Sequence, residues 1–318
     1  MTSDTADWYL RFADGEAAGR SVIYEEWARG VAADPEVLAL LDGLPEQKRQ
    51  PNLVFSTARL LGAPSGIWPV FREWLLAHWD AVAEEARVRS TQTNEPGRCA
   101  ALLPALALVP GPLALIEVGA SAGLTLIPDR YAYRYDDDRR GEVRIGDGDL
   151  VLECATAGGV PLPSAPPDVR WRCGIDLHPL NLSDGDVHWL ETLVWPEAED
   201  RRRRIRAAVA IARRDPPRIV RGDVVDALRE VVAQVPDGLT PVVVSSGTLV
   251  YVPGLRRAAF RHLVRELGCR LLALEGMRVF PDLTPERVPA TPGTPFLVTL
   301  DESPVAVADA HGRWLTWL

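Results

Sequence analysis

The chain has 318 residues, 47% of them apolar and 25% charged, and carries a net charge of −9. That length supports one large domain or two modest ones, and the composition excludes a disordered chain. The acidic balance repels phosphate backbones and so disfavours nucleic acid as a partner.

The densest basic run, Arg201–Arg204 with Arg206, follows Glu197, Glu199 and Asp200, and reads as the solvated face of a helix. The four cysteines, Cys99, Cys154, Cys173 and Cys269, are widely spaced and contain no CxxC pair. They read as buried small hydrophobes in a reducing cytoplasm, with no metal site expected. Met1–Leu10 carries acidic residues and no apolar core, so no export signal is expected. The longest apolar stretch, around 100–118, is broken by Pro104, Pro110, Gly111 and Pro112, so no membrane association is expected either. A cytoplasmic location follows.

The first 110 residues read as a helical N-terminal cap. Trp8, Phe12, Ala13 and Ala17 recur at helical spacing, and Val22, Ile23, Trp27 and Val31 continue it after Gly19–Ser21. Asp34 is a plausible N-cap with Pro35 in the first turn. Residues 51–61 give another helix, ended by Gly62. Residues 68–88 give one longer helix, with Phe71, Leu75, Trp79 and Val82 on one face. The aromatic residues here fill the core of that cap.

From Leu113 the texture changes. An apolar strand, 114–118, runs into the turn Gly119-Ala-Ser-Ala-Gly123 and then into an apolar segment that reads as a helix. Residues 131–168 read as an insertion, with 143–145 and 149–154 as the two strands of a β-hairpin. Tyr131, Tyr133 and Tyr135 alternate with period two, as one face of a lid or as core packing. Strands are then expected at 169–175, 218–220, 241–245 and 270–275. Helices are expected at 187–194, 198–213, 224–235 and 255–267. A final antiparallel pair is expected at 296–301 and 305–308, with a last short strand near Trp314. This alternation predicts an α/β domain over 111–318, a seven-stranded, doubly wound, Rossmann-like sheet.

Open parallel sheets bind ligands at the carboxyl ends of their strands. There the sequence places Glu117-Val-Gly119-Ala120-Ser121-Ala-Gly123, then Asp176-Leu177-His178, then Gly222-Asp223-Val224, then Ser245-Ser-Gly-Thr-Leu-Val-Tyr251. This set resembles the class I S-adenosylmethionine (SAM) dependent methyltransferases, whose pattern is an acidic glycine-rich loop after the first strand and acids after the second and third. The resemblance implies that Glu117, Gly119, Ala120, Ser121 and Gly123 line SAM, that Asp176 with Leu177 holds its ribose, and that Asp223 with Gly222 and Val224 holds its adenine. Ser245 would complete the cofactor site, and S-adenosylhomocysteine would be the product. The sequence departs from that pattern at Ser121, where the middle glycine would stand, and at Ser245–Ser246, where many nitrogen methyltransferases carry Asn-Pro-Pro-Tyr.

Each residue also has a simpler reading. Asp176 suits a turn before Pro179, and Asp223 suits an N-cap. His178 is a candidate general base or a structural histidine, and Tyr251 a candidate wall of the acceptor site. Asn94, Glu95 and Arg98 form a polar knot, either for a carboxylate of ligand or cofactor or for capping and pairing among themselves. The phrases Thr93-Asn-Glu-Pro-Gly-Arg98, Ile116-Glu-Val-Gly-Ala-Ser-Ala-Gly123 and Gly174-Ile-Asp-Leu-His-Pro179 resemble a bacterial family known as domain of unknown function 2332. The expected activity is methyl transfer to a small-molecule acceptor. The alternative is a non-catalytic protein of the same fold, a nucleoside sensor or interaction module with a degenerate site. A homodimer is compatible with either.

Overall fold

The computed structural model describes residues 4–285, 288–291 and 293–318. In chain order these form helices α1 (Asp4–Phe12), α2 (Val22–Ala32), α3 (Pro35–Asp42), α4 (Pro51–Leu60), α5 (Trp68–Ala77), α6 (Trp79–Val88) and α7 (Arg98–Leu106). Strands β1 (Leu113–Val118), β2 (Ala132–Asp137), β3 (Gly141–Ile145), β4 (Val151–Ala157) and β5 (Val169–Asp176) follow. Then come α8 (Asp184–Leu193), α9 (Glu199–Ala212), β6 (Arg218–Arg221), α10 (Leu228–Val232), β7 (Thr240–Ser246) and α11 (Gly254–Glu266). The described chain closes with β8 (Arg270–Gly276), β9 (Phe296–Leu300), β10 (Ser303–Ala308) and β11 (Trp314–Trp317).

Two compact units result: residues 4–93 with Ser183–Arg203, and Asn94–Leu182 with Arg204–Leu318. The first is helical. Its core is aromatic, with Trp27 stacked on Phe71 at 3.7 Å and Phe55 edge-on to Tyr9, Tyr24, Trp27 and Phe71. The segment from the middle of the chain is fastened there by Arg59, whose Nη1 donates to the carbonyls of Thr192 and Val194. Trp195 adds an indole N–H donated to Asn52 Oδ1 at 2.8 Å. Asp34 caps α3 as expected, accepting from the N–H groups of Glu36 and Val37. The single long helix expected over 68–88 is instead broken at His78, whose ring nitrogen lies 2.8 Å from Trp74 O and competes for a helical carbonyl.

The second unit holds one mixed, mostly parallel sheet of eleven strands, ordered β3-β2-β4-β11-β10-β9-β8-β7-β1-β5-β6. The seven-stranded sheet expected from the sequence is therefore corrected. The run β6-β5-β1-β7-β8 is parallel and doubly wound, with its reversal of strand order between β1 and β7. β9 closes it antiparallel and β10 turns back on β9. Ile116 and Val118 of β1 and Leu271 and Ala273 of β8 pack against Leu228 and Val231 of α10 and Phe260 and Val264 of α11. α7 lies against β8, β9 and β4 and belongs to this second unit.

Residues 131–168 are not a separate hairpin. β2 pairs antiparallel with β3, and β4 pairs parallel with both β2 and β11, which carries the segment into the main sheet. The turn into β3 forms because the buried Asp137 carboxylate accepts from the N–H groups of Arg139 and Arg140. Tyr131, Tyr133 and Tyr135 are buried, and their hydroxyls donate to the carbonyls of Leu124, Pro128 and Ala100. The last bond has a clear origin. Pro104, inside α7, has no N–H for the Ala100 carbonyl four residues back, and the Tyr135 hydroxyl takes its place.

The helix expected after Gly123 does not form. Pro128 would remove one helical donor and clash with the carbonyl of Leu124, which the Tyr131 hydroxyl occupies instead. Only a short turn, Pro128–Arg130, precedes β2. The helix expected over 224–235 is likewise shortened to α10, because Asp223 holds the preceding residues in a turn. The basic run is paired with acids, Arg202 with Glu199, Arg203 with Asp200 and Arg204 with Glu95.

Candidate functional site

The ends of β1, β5, β6, β7 and β8 gather most of the polar residues singled out in the sequence. The loop 119–124 is fastened on three sides. Asn94, buried just before α7, donates from its amide nitrogen to Ala120 O at 3.1 Å and accepts from Leu124 N at 2.8 Å. Asp176, at the end of β5, accepts from Ser121 N at 2.8 Å with Oδ2 and from His178 N at 2.7 Å with Oδ1. The N–H groups of Gly119 and Ala120 both donate to Ile175 O, and Gly123 N donates to Ala120 O. Gly119 and Gly123 sit at φ of +72°, and Ser121 at +52°, so the loop uses the left-handed region three times. Glycine is needed at 119 for a second reason: a Cβ there would lie 2.1 Å from Thr248 Oγ1.

Both ends of the Asn94 amide are committed inside the protein. Asn94→Ala should therefore lower stability by about 1–3 kcal/mol, since it leaves the buried Leu124 N–H without its partner and takes one of two donors from Ala120 O, Gly123 N remaining. Denaturant titration would measure it, and a loss within about 0.5 kcal/mol of zero would mean water replaces the amide at both places.

Beside this loop lies a buried charged cluster. Glu117 faces away from the α10 and α11 side of the sheet, because its neighbours Ile116 and Val118 face toward it. It accepts from the hydroxyls of Thr125 and, at 3.5 Å, Ser246. Glu275, at the end of β8, accepts on Oε1 from Ser245 Oγ at 2.5 Å, Thr248 N at 2.9 Å and Leu249 N at 3.1 Å. Arg98, only 5% exposed, donates from Nε to Ala310 O at 3.0 Å and from Nη1 to Ser246 O. Its guanidinium lies over Gly247, where a Cβ would come within 2.8 Å of Nη2.

Burial is the main force on both carboxyls. It pushes Glu117 up to about 8, against the hydroxyl of Thr125 and the attraction of Arg98. It also raises Glu275, against Ser245, the two backbone N–H groups and Arg98. Oε2 of each is closed off and has no hydrogen-bond partner. Both carboxyls thus feel the Arg98 guanidinium, which itself donates to backbone carbonyls, and each keeps one oxygen without a hydrogen bond.

Asp223 stands at the end of β6, next to β5, and Gly222 N donates to Asp176 O at 2.9 Å. All of Asp223's hydrogen bonds fall on Oδ1, from Val225 N, Asp226 N and Arg256. Burial raises this carboxyl, but Arg256 and the backbone donors outweigh it and hold the group below its usual range. Val224 is buried in the core beneath it.

Other predicted site residues lie elsewhere. Glu95 is fully buried at the start of α7, where it accepts from Gly97 N and pairs with Arg204 at 2.6 Å. Leu177, His178 and Tyr251 are exposed, Tyr251 to 76%. The sequence reading missed Thr125, Ser246, Thr248 and Glu275. A signal for Glu275 was present, since it closes an apolar strand just before a glycine, much as Glu117 comes at the end of its own.

Among the described residues no group of three or more His, Cys, Asp or Glu is placed to hold a metal ion. The four cysteines are free and buried. No described helix is long and apolar enough to cross a membrane.

No curated protein and no solved structure matches the chain. A family model described as "Uncharacterized protein conserved in bacteria (DUF2332)" matches residues 6–317. That match spans nearly the whole sequence, and the chain belongs to this bacterial family.

Proposed function

We propose that the second unit binds an adenosyl ligand at the ends of β5 and β6 and acts as a SAM-dependent methyltransferase on a small molecule. The reading is carried by Asp176 and Asp223, acids at the ends of adjacent parallel strands next to the strand-order reversal. Asp223 Oδ2 is uncommitted and suits an amine donor such as that of adenine. Each Asp176 oxygen accepts one backbone N–H and keeps acceptor capacity for a ribose hydroxyl. The residues present therefore fit the nucleoside end of SAM. When bound, SAM would supply an electrophilic methyl group, and the protein's task would be to align an acceptor with it.

A second reading has its own support. The N–H groups of Gly119, Ala120, Ser121, Gly123 and Leu124 are all consumed within the protein. Thr248 and Arg98 fill the space above Gly119 and Gly247. A site so occupied suits a non-catalytic module of the same topology.

Calorimetric titration with SAM and S-adenosylhomocysteine separates the two. Asp223→Ala is the informative variant, because its carboxylate is partly exposed and its pairing with Arg256 contributes little to stability. It should weaken SAM binding by about 1.5–3 kcal/mol, with a separate stability loss of about 1 kcal/mol from the turn bonds to Val225 N and Asp226 N. Asp176→Ala should lose both binding and stability, since it also releases Ser121 N and His178 N. If neither ligand binds the wild type, the methyltransferase reading falls and the module reading stands.

A further inference from the structure

The eleven-stranded sheet has two open ends, β3 and β6. An edge strand presents unpaired N–H and C=O groups, so its side chains decide which strand can add to it. β6 is guarded against a second copy of itself. Its end residues, Arg218 and Arg221, are both exposed. Antiparallel pairing of β6 with itself about its middle would set Arg218 of each copy against Arg221 of the other, like charge against like.

β3 carries no such guard. It pairs with β2 over five successive residues, Gly141 to Ile145, without a bulge. It contains no proline and no lysine to discourage a neighbour. Among the described residues, nothing outside the β2–β3 hairpin bonds to it. Glu142 and Arg144, both exposed, pair with each other at 2.8 Å, and Glu142 lies 3.8 Å from Arg134 of β2. Such exposed pairs are worth little and are readily exchanged.

The order of residues in β3 is self-complementary. Glu142 and Arg144 stand two apart and share one face of the strand. A two-fold axis through Val143 therefore places Glu142 of each copy opposite Arg144 of the other. Outside the strand the order of charge continues, with Arg139 three residues before Glu142 and Asp147 three after Arg144. The same reversal again matches unlike signs.

We propose that β3 is a homodimer interface, at which two copies pair antiparallel about Val143 and join their sheets into one. Backbone hydrogen bonds supply the attraction, and the two Glu142–Arg144 pairs set the register. A slip of two residues either way would put Glu142 against Glu142 or Arg144 against Arg144. The contact is small, so the dimer is expected at protein concentrations on the order of tens of micromolar. This surface is independent of what the strand ends bind.

The experiment is sedimentation of the full chain from about 1 to about 200 µM. The expected result is a concentration-dependent passage from monomer to dimer. Glu142→Arg and Arg144→Glu should each weaken association about tenfold or more, because each turns both cross-strand pairs repulsive. The double variant Glu142→Arg/Arg144→Glu should restore it, since the axis then matches unlike charges again. Val143→Cys should give a disulfide-linked dimer on mild oxidation, because directly opposed residues lie within disulfide reach. Arg144→Cys should not, since residue 144 faces 142 rather than itself. The native cysteines are buried and add little background. A wild type that stays monomeric at the highest concentration would overturn the proposal without any variant. So would a dimer that neither charge reversal weakens, a double variant that stays as weak as the single ones, or equal cross-linking of the two cysteine variants.

Discussion

Arg98→Met should destabilise the second unit by about 3–5 kcal/mol, the largest loss expected of any single change at the strand ends. The cause is electrostatic and directional. Among the described residues Arg98 is the cation that acts on both buried carboxyls, and its removal takes that counter-charge from Glu117 and Glu275 in a low-dielectric setting. Two carbonyls, of Ser246 and Ala310, lose their donor as well. Loss of packing alone would give a pH-independent effect. Loss of the counter-charge gives one that shrinks as pH falls, because the carboxyls then take up protons at little cost. Denaturant melts of wild type and Arg98→Met at pH 5 and pH 8 distinguish these. Equal losses at the two pH values would show that Arg98 acts by shape and hydrogen bonding. Arg98→Lys should recover only part of the loss, since one ammonium cannot reproduce a guanidinium that donates in two directions.

Glu117→Gln should remove most of a slope from the pH dependence of stability. The folded-state value of Glu117, about 8, lies above its ordinary value of 4.5. The folded chain therefore holds a proton that the unfolded chain has lost between these values. The contribution is fully present below pH 4.5 and is lost as pH rises through about 8. At about 1.4 kcal/mol per pH unit, the full span amounts to several kcal/mol. Wild type should thus weaken from acid toward neutral pH through this group, and Glu117→Gln should not. The variant should match wild type near pH 4.5 and melt higher at pH 8. A residual slope of the same sign is expected from Glu275, which is also raised. Parallel curves for wild type and variant would mean that Glu117 is solvated in the folded protein.

The parallel core was legible because its signals are local. The short apolar runs at 114–118, 169–175, 241–245 and 270–275 are followed by Gly, Asp, Ser and Gly, and the structure keeps each as a strand. The acids at 176 and 223 were also located correctly at strand ends. Their present partners were not legible, because Ser121 N and Arg256 reach them from elements distant in sequence. The hairpin at 143–154 was misread because period-two alternation marks a strand without naming its neighbour. Tyr131, Tyr133 and Tyr135 carried the stronger strand signal, and their segment is the true partner of β3. The eleven-stranded sheet depends on β4 meeting β11, a pairing across about 160 residues that no local pattern encodes. The missing helix after Gly123 was legible in principle, since Pro128 stands five residues on.

β11 is the last of the eleven strands in chain order, yet it lies in the interior of the sheet between β10 and β4. During synthesis β2, β3 and β4 leave the ribosome early and must wait, edge uncovered, until Trp314–Trp317 emerge. An exposed strand edge is an aggregation hazard, and long-range pairings of this kind form slowly. The nascent chain therefore carries this uncovered edge while about 160 further residues are made. A chaperone that covers strand edges would be expected to raise the yield of this protein more than one that merely delays collapse.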